Sequence, residues 1–320
     1  MGYGIGGHLA ISKQNSVGTA TSNWVYIPFV SESLTENIEQ LQSESLKAIY
    51  DNPNMLEGIN NVTGDIVFEP HPIYLGHFLN ACIGDATSTL QTSAYQHEFI
   101  PRQNDFDANF ALQPYTVAVF KNVGSSYQYT DAMIHTLAIE ITAGGIINAT
   151  ATVHARTSSL QNPTTPSFIS ADPFTWNETS LQVAGSASDA FESATITIDN
   201  PIEGIATLNG AKVHSRDKRT GFRTVNVAGD QDFSSQTEYN AFRAQTRQRF
   251  QFTITGDNIS AGGAESNEIT FDIPQCNYTT YASPVGGPGR ITASYEGNGE
   301  YDVSSSYSLR ATLTNTSASY

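Results

Sequence analysis

Alternation of apolar and polar residues marks a pair of β-strands near the middle of the chain. Between Thr136 and Thr142, one Leu and two Ile residues alternate with Thr and Glu, and after Gly144 and Gly145 a similar alternation runs to His154. Because successive side chains of a strand point to opposite faces, each segment has one apolar and one polar face. The pattern predicts a half-buried β-hairpin.

The same alternation recurs from Ser193 and, in a more polar form, from Tyr301, with Gly, Asn and Asp between the segments. Many short strands are therefore expected, and few helices. One short helix is predicted in EPHPIYLGHFLNACIG, which opens with prolines. A second is predicted after Ser235, which with Glu238 matches a capping box. The expected fold class is mainly all-β.

An internal repeat divides the chain. NVTGDIVF begins at Asn61 and NVAGDQDF at Asn226, and the spacing of 165 residues between Gly64 and Gly229 recurs at the following Phe and Tyr positions. Repeats of this kind indicate a duplicated structural unit. We predict two tandem β-rich domains, 1–160 with an N-terminal arm and 161–320, each with one short flanking helix. The Pro/Ser/Thr-rich stretch 156–167 has the composition of a linker.

The charge of the chain is strongly acidic. Fifteen Lys and Arg residues stand against 31 Asp and Glu, a net charge of −16, which disfavours ordinary binding to nucleic acid because phosphate must be neutralised by cations. No apolar run is long enough to span a membrane, and no secretory signal is evident, so intracellular synthesis is expected.

No catalytic, cofactor or metal signature stands out. Cys82 and Cys276 are isolated, and Asp230 and Asp232 lack the further acidic residue that would complete a calcium loop. No Ser/His/Asp order or Cys/His pair is evident. The sequence predicts a protein that is not an enzyme and that has no cofactor and no metal site.

Two matching loops differ in charge. GAKVHSRDKRTGFR in the second copy is basic, whereas QSESLKAIYDNPNMLEG in the first carries several carboxylates. Both could be solvated loops with drifting charges, or they could meet across an interface between copies, where complementary charge sets the register. The candidates for such a contact between copies are Glu44, Lys47, Asp51, Glu57, Lys212, Arg216, Lys218, Arg219 and Arg223.

The N-terminal half resembles a known family. GGHLAISKQNS, IPFVSESLT, VTGDIVFE, YQHEFIP and FALQPYTVAVFKN together resemble the tail tube (major tail) proteins of long-tailed phages and related archaeal viruses. The resemblance covers about residues 5–160, and the second half matches chiefly through the internal repeat. That half lacks the IPFVSESLT motif and has a basic loop, so interface residues are not transferred to it.

The resemblance implies tail-tube-like β-sandwich domains whose inner sheets join across subunits into a β-barrel around a lumen. Rings stack through long hairpin loops and terminal arms, and genomic DNA passes through without specific binding. Two such domains per chain imply homotrimeric rings with pseudo-sixfold symmetry. Implied partners are further copies of the chain and the tape-measure and tail terminator or tip proteins, with no membrane. The implied location is the virion tail, after assembly in the host cytoplasm.

Polar strand positions are the candidates for the lumen wall: Ser33, Thr35, Asn37, Glu39, Glu140 and Thr142. An ordinary solvent-facing sheet surface would show the same pattern. The alternative function is a tandem β-sandwich binding module, either an adhesin or a capsid decoration protein. Such a module would be expected to cluster exposed aromatic residues, and the chain has only Trp24 and Trp176 as tryptophans.

Overall fold

The computed structural model describes residues 2–259 and 265–320 and is predominantly β, which confirms the predicted fold class. The first half contains α1 (Leu75–Cys82) and eleven strands. These strands are β1 (His8–Lys13), β2 (Val25–Ile27), β3 (Ser31–Glu32), β4 (Thr35–Gln42), β5 (Met55–Phe68), β6 (Ala86–Leu90), β7 (Tyr95–Phe99), β8 (Tyr115–Phe120), β9 (Ser126–Thr142), β10 (Asn148–Ala155) and β11 (Thr157–Gln161).

The second half contains α2 (Thr237–Ala244), placed after a Gly-Asp strand as α1 is. Its strands are β12 (Thr179–Val183), β13 (Ser186–Ala187), β14 (Ser193–Asp199), β15 (Ile202–Ile205), β16 (Arg216–Arg219), β17 (Thr224–Asp232), β18 (Gln248–Asn258), β19 (Ser266–Ala282), β20 (Thr292–Gly299) and β21 (Arg310–Asn315). No helix among the described residues is long and apolar enough to cross a membrane.

The first half is a sandwich built around the long strand β9. Residues 126–132 of β9 pair with β8 and β11, in the back sheet β2–β1–β8–β9–β11. Residues 133–140 pair with β10, which pairs in turn with β5 and so reaches β3 and β4. The predicted hairpin is confirmed, with Leu137 opposite Ala151. Side chains from both sheets, such as Val117 and Ile66, bury one hydrophobic core.

The second half pairs its strands in a similar order. Strand β19 pairs with β18 and β21 near its start and with β20 near its end, as β9 does with β8, β11 and β10. Strand β20 then pairs with β17, and β17 with β14. Its back sheet also includes a strand of the first half, since β21 pairs with β7.

Strands β9 and β14 join the two halves into one sheet. They pair over seven positions, from Thr142 opposite Ser193 to Thr136 opposite Asp199. The resulting shared sheet runs β3/β4–β5–β10–β9–β14–β17–β20–β19. It is not closed into a barrel within the chain: the outer edges of β3/β4 and of Asn277–Ala282 pair with no strand of the described residues.

The structure corrects the predicted linker. Thr157–Gln161 forms β11, which pairs with Ser126–Thr130 of β9 and belongs to the first sandwich. The segment that follows is anchored as well, since the Tyr26 hydroxyl donates to Thr164 Oγ1 (2.6 Å). Composition suggested a linker because Ser and Thr are common both in loops and in exposed edge strands.

The predicted capping box of α2 forms only in part. The helix begins at Thr237 with Gln236 as its N-cap residue, whose side chain makes no capping bond. Ser235 Oγ accepts a hydrogen bond from the Thr237 amide (3.4 Å). Glu238 instead accepts a hydrogen bond from the buried Tyr278 hydroxyl (2.7 Å). A tertiary contact with β19 therefore uses the carboxylate that the local pattern assigned to the helix end.

The repeated Gly-Asp pair makes the same contact in both halves. The amide of Asp65 donates to Ser33 Oγ (2.9 Å), and the amide of Asp230 donates to Ser193 Oγ (3.0 Å). A Cβ atom at Gly64 or at Gly229 would overlap the carbonyl group of the facing serine. Glycine is required because the neighbouring backbone approaches this closely.

We expect Gly229→Ala to lower the free energy of unfolding by about 1–3 kcal/mol, because the added methyl group would force the Ser193 backbone away from β17. Chemical denaturation measures the change. Gly286→Ala is the matched control, since nothing lies within 4 Å of a Cβ atom there. Equal stability of the two variants would contradict this role of Gly229.

Candidate functional site

The shared sheet has one apolar face and one polar face. Its apolar face carries core residues such as Ile139 and Ile196, which are buried. On the other face, positions align across the strands, for example Asn148–Glu140–Thr195–Ala228–Glu296–Thr280. We call this the polar face, and it comprises Thr63, Asp65, Val67, Thr136, Ala138, Glu140, Thr142, Asn148, Thr150, Thr152, His154, Ser193, Thr195, Thr197, Asp199, Thr224, Asn226, Ala228, Asp230, Asp232, Asn277, Thr280, Ala282, Thr292, Ser294, Glu296 and Asn298.

The polar face is acidic and contains neither Lys nor Arg. It carries six carboxylates: Asp65, Glu140, Asp199, Asp230, Asp232 and Glu296. Of these, Asp232 lies 3.8 Å from Arg290, which is outside the face. Two of them are held by neutral neighbours on the same face. Thr136 Oγ1 donates to Asp199 Oδ1 (2.6 Å), and Asn226 Nδ2 donates to Glu296 Oε1 (2.7 Å). Such hydrogen bonds orient the carboxylates without cancelling their charge, so the face repels anions.

The basic residues are engaged elsewhere. Of the 15 Lys and Arg residues, eleven form ion pairs within the chain: Lys13, Arg102, Lys121, Arg156, Lys212, Lys218, Arg219, Arg247, Arg249, Arg290 and Arg310. None of these residues belongs to the polar face. The carboxylates of the polar face are therefore left largely uncompensated.

The structure brings most of the predicted wall residues together. All six are exposed. Glu140 and Thr142 lie on the polar face beside β14, and Thr35 and Asn37 join the face through β5, opposite Thr63 and Asn61. Ser33 faces Asp65 across the same strand pair.

Glu39 departs from this set. The β4–β5 register shifts between Ile38 and Gln40, and a Glu39 carboxylate oxygen accepts from the Ile59 amide (3.1 Å). Sequence reasoning also missed Asp65, Asp199, Asp230 and Glu296. Each of these occupies a polar position in an alternating segment, so the alternation itself could have identified them.

The β4–β5 hairpin extends beyond the sheet and exposes apolar side chains. Every residue from 35 to 52 is exposed, including the predicted contact residues Glu44, Lys47 and Asp51. Leu46 is 100% exposed and Tyr50 is equally open. The other exposed apolar residues of this hairpin are Ile38, Leu41, Ile49, Met55 and Leu56. Exposed apolar surface of this extent is typical of an interaction site.

The β15–β16 hairpin instead folds back onto the first half. Lys212 forms an ion pair with Glu57, and Lys218 Nζ and Arg219 Nε lie 3.0 and 3.4 Å from the carboxylate of Asp105. The two loops of opposite charge therefore meet inside one chain.

Arg223 and Arg216 complete the predicted basic set. Arg223 donates to Asn200 Oδ1 (2.8 Å) and to the Arg102 carbonyl (2.7 Å), and burial lowers its pKa to about 10. Arg216 is exposed and forms no ion pair with a described residue. Of the five basic candidates in the second half, Arg216 is thus the one whose guanidinium makes no ion pair with a described residue.

The two tryptophans occupy different settings. Trp24 is half-buried, whereas Trp176 is 44% exposed in a short 3-10 turn, with its amide donating to the Gly145 carbonyl (3.1 Å). Neither arrangement identifies a glycan site.

A mainly-β chain with a continuous acidic sheet face and a protruding apolar hairpin has the features of an assembly protein. Residues 4–299 match the family described as phage tail tube protein. The match spans nearly the whole chain, and the chain belongs to this family, whose members are structural proteins of the viral tail. No curated protein matches the chain.

Proposed function

We propose that three copies of the chain close into a ring and that stacked rings form the hollow tail tube through which DNA passes. The observation that carries this proposal is the β9–β14 junction. It joins the last strand of one four-stranded segment, β3/β4–β5–β10–β9, to the first strand of another, β14–β17–β20–β19.

The free edges of the shared sheet correspond to the two sides of that junction. Strand β3/β4 pairs with β5 as β14 pairs with β17, and the end of β19 pairs with β20 as the end of β9 pairs with β10. A neighbouring copy could therefore supply its β3/β4 to β19, as β14 is supplied to β9 within the chain. Closure removes exposed edges, which otherwise invite uncontrolled pairing.

Three chains follow from two such segments per chain, because sixfold arrangements are usual in the family that the sequence resembles. The two halves are then the two tube domains, 1–160 and 161–320. The ring has no enzymatic role in this proposal. Its other partners are the tape-measure and terminator or tip proteins, in a virion tail assembled in the host cytoplasm.

The polar face lines the lumen in this arrangement. Duplex DNA carries one negative charge per about 1.7 Å of axis, so an acidic wall lets it slide without adhering. Three chains at −16 each give −48 per ring. The alternative of an adhesin or decoration protein explains neither the missing cations on this face nor the family match.

The β4–β5 hairpin is the stacking element in this proposal. Its exposed Leu46 and Tyr50 would be buried against the next ring, with Glu44, Lys47 and Asp51 around them. Lys212, Lys218, Arg219 and Arg223 support this contact from within the chain, by holding the base of the hairpins in place.

We expect end-on electron micrographs of the purified chain to show hollow rings of three copies with pseudo-sixfold symmetry. Mass measurement of single rings would give three times the chain mass. If only two-domain monomers formed at high concentration, even with chaperone and tape-measure protein supplied, the ring proposal would be wrong.

We expect Leu46→Asp combined with Tyr50→Asp to leave rings intact and to abolish long tubes. The reason is that burying the two introduced carboxylates at a ring–ring contact would cost desolvation free energy. Tube length in negative-stain images is the measurement. Leu208→Asp is the matched control, since Leu208 is equally exposed on the β15–β16 hairpin. Tubes of normal length from the double variant would exclude the hairpin as the stacking element.

We expect the triple change Glu140→Lys, Asp230→Lys and Glu296→Lys to create affinity for duplex DNA that falls steeply with salt. Electrophoretic mobility of DNA at several salt concentrations measures it. The control reverses three exposed carboxylates outside the polar face, Asp189, Glu203 and Asp257. Equal DNA retention by both triple variants would contradict a special role for the polar face.

A further inference from the structure

Two histidines and an aspartate meet where the second half crosses the end of β10. His154 lies on β10, Asp217 on β16, and His214 in the loop just before β16. His154 Nε2 is 3.2 Å from Asp217 Oδ1, and His214 Nδ1 is 3.8 Å from the same oxygen. One nitrogen from each imidazole and one carboxylate oxygen all lie within 4.8 Å of one another. The three potential ligand atoms therefore converge on one point.

These atoms are buried and unsatisfied. Asp217 is 0% exposed, and neither of its carboxylate oxygens hydrogen-bonds to any described residue. His154 Nε2 and His214 Nδ1 also lack a partner among the described residues. A buried ionisable group without hydrogen bonds costs several kcal/mol of desolvation, so native structures avoid it.

Other buried carboxylates in the same chain are fully satisfied. Asp131 accepts hydrogen bonds from Gln14, from the Gly18 amide and from Arg156. Asp272 accepts from Arg249 Nε (2.6 Å) and from the Tyr307 hydroxyl (2.7 Å). Asp217 differs from them, because its buried carboxylate accepts no hydrogen bond from a described residue. Arg156, which is close enough to influence His214, is already paired with Asp131.

The backbone fixes the three residues in place. The Asp217 amide donates to the Asn109 carbonyl (2.9 Å), and the Asp217 carbonyl accepts from the Ala111 amide (2.9 Å). Gly204 pairs with Asp217 across the hairpin, and a Cβ atom at this glycine would overlap the His214 imidazole. The absence of a side chain at Gly204 thus leaves room for the His214 imidazole beside Asp217. These contacts all lie within one chain, so they do not depend on how copies assemble.

We propose that His154, His214 and Asp217 bind one divalent transition-metal ion, with zinc the preferred ion. Zinc in proteins binds at about 2.0–2.2 Å from nitrogen and oxygen, which puts tetrahedral ligand atoms about 3.3 Å apart. The separations of 3.2 and 3.8 Å from Asp217 Oδ1 are close to this value. The three ligand atoms lie within 4.8 Å of one another, and the imidazoles turn toward the ion to complete a tetrahedral arrangement. Imidazole ligands favour zinc or its neighbours over magnesium and calcium, and a water molecule completes a three-ligand site.

Burial lowers the pKa of His214, while the nearby Asp217 acts in the opposite direction. Metal coordinates the neutral form of an imidazole, so protons compete with the ion for both histidines. The prediction from sequence that the chain has no metal site is the one that this proposal replaces.

A bound ion would cross-link the halves of the chain. His154 belongs to the first half, and His214 and Asp217 belong to the hairpin of the second. Since the native state alone offers the assembled site, metal binding adds to the stability of the folded chain. This property belongs to the single chain and is separate from ring formation and from the tube proposal.

The test is metal binding by the whole chain after removal of bound metal with EDTA. We expect titration calorimetry with ZnCl₂ at pH 7.5 to give one ion per chain, and Co²⁺ to give the visible absorption of a tetrahedral site. The thermal midpoint should rise with ZnCl₂. Affinity should fall at pH 5.5, because protons compete for the imidazoles.

We expect His214→Gln and His154→Gln each to weaken zinc binding by more than about 100-fold, since even loss of an outer supporting partner costs about 10–100-fold. His135→Gln is the matched control, because His135 is a half-buried neighbour outside the ligand set. Asp217→Asn provides a second variant, which should bind zinc weakly while circular dichroism shows a folded chain. An absence of zinc binding by the folded wild-type chain, wild-type affinity in Asp217→Asn, or an equal loss in His135→Gln would overturn the proposal.

Discussion

The pairing of β9 with β14 is the interaction on which the rest of the structure depends. Its seven residue pairs make one sheet out of two segments, and the buried residues on its apolar face, such as Ile139 and Ile196, belong to the single core that spans both halves. Further contacts reinforce the joint. Strand β21 of the second half pairs with β7 of the first, and Tyr320 donates to the Ile73 carbonyl (2.8 Å) beside α1. The two halves therefore form one packed unit and are fixed relative to each other.

The β9–β14 pairing also determines where the charged residues lie. Because the two halves contribute to one continuous sheet, their polar strand positions fall on one continuous face with carboxylates and no cations. The cations instead neutralise carboxylates elsewhere, as at the buried carboxylates of Asp131, paired with Arg156, and Asp272, paired with Arg249. Charge-assisted hydrogen bonds of this kind are worth more than exposed pairs, so the arrangement stabilises the fold while it leaves one face acidic.

The β4–β5 and β15–β16 hairpins differ in their physical settings. The first, β4–β5, is exposed and apolar at its tip, and no residue that the structure describes covers it. The second, β15–β16, is basic and packs on the first half, where it buries Asp217 beside two imidazoles. Under the proposed function, the exposed β4–β5 hairpin contacts the next ring, while the β15–β16 hairpin holds the two halves of one chain together. The proposed stacking surface and the proposed metal site thus lie on different hairpins.

The sequence by itself determined the β-rich class, the Gly-Asp repeat, the hairpin around Gly144 and the two helix positions, because each depends on local periodicity or on a close backbone approach. It also placed Glu140 and Thr142 on a polar strand face, since alternation in a strand fixes the face. Only the tertiary structure decided which strand β9 pairs with, where Lys212 and Lys218 find carboxylates, and that His154 meets Asp217. These contacts join residues dozens to more than a hundred positions apart, and no local pattern encodes them. The same limit explains the misplaced linker and helix cap, where strand pairing and the Tyr278 hydroxyl overrode local composition.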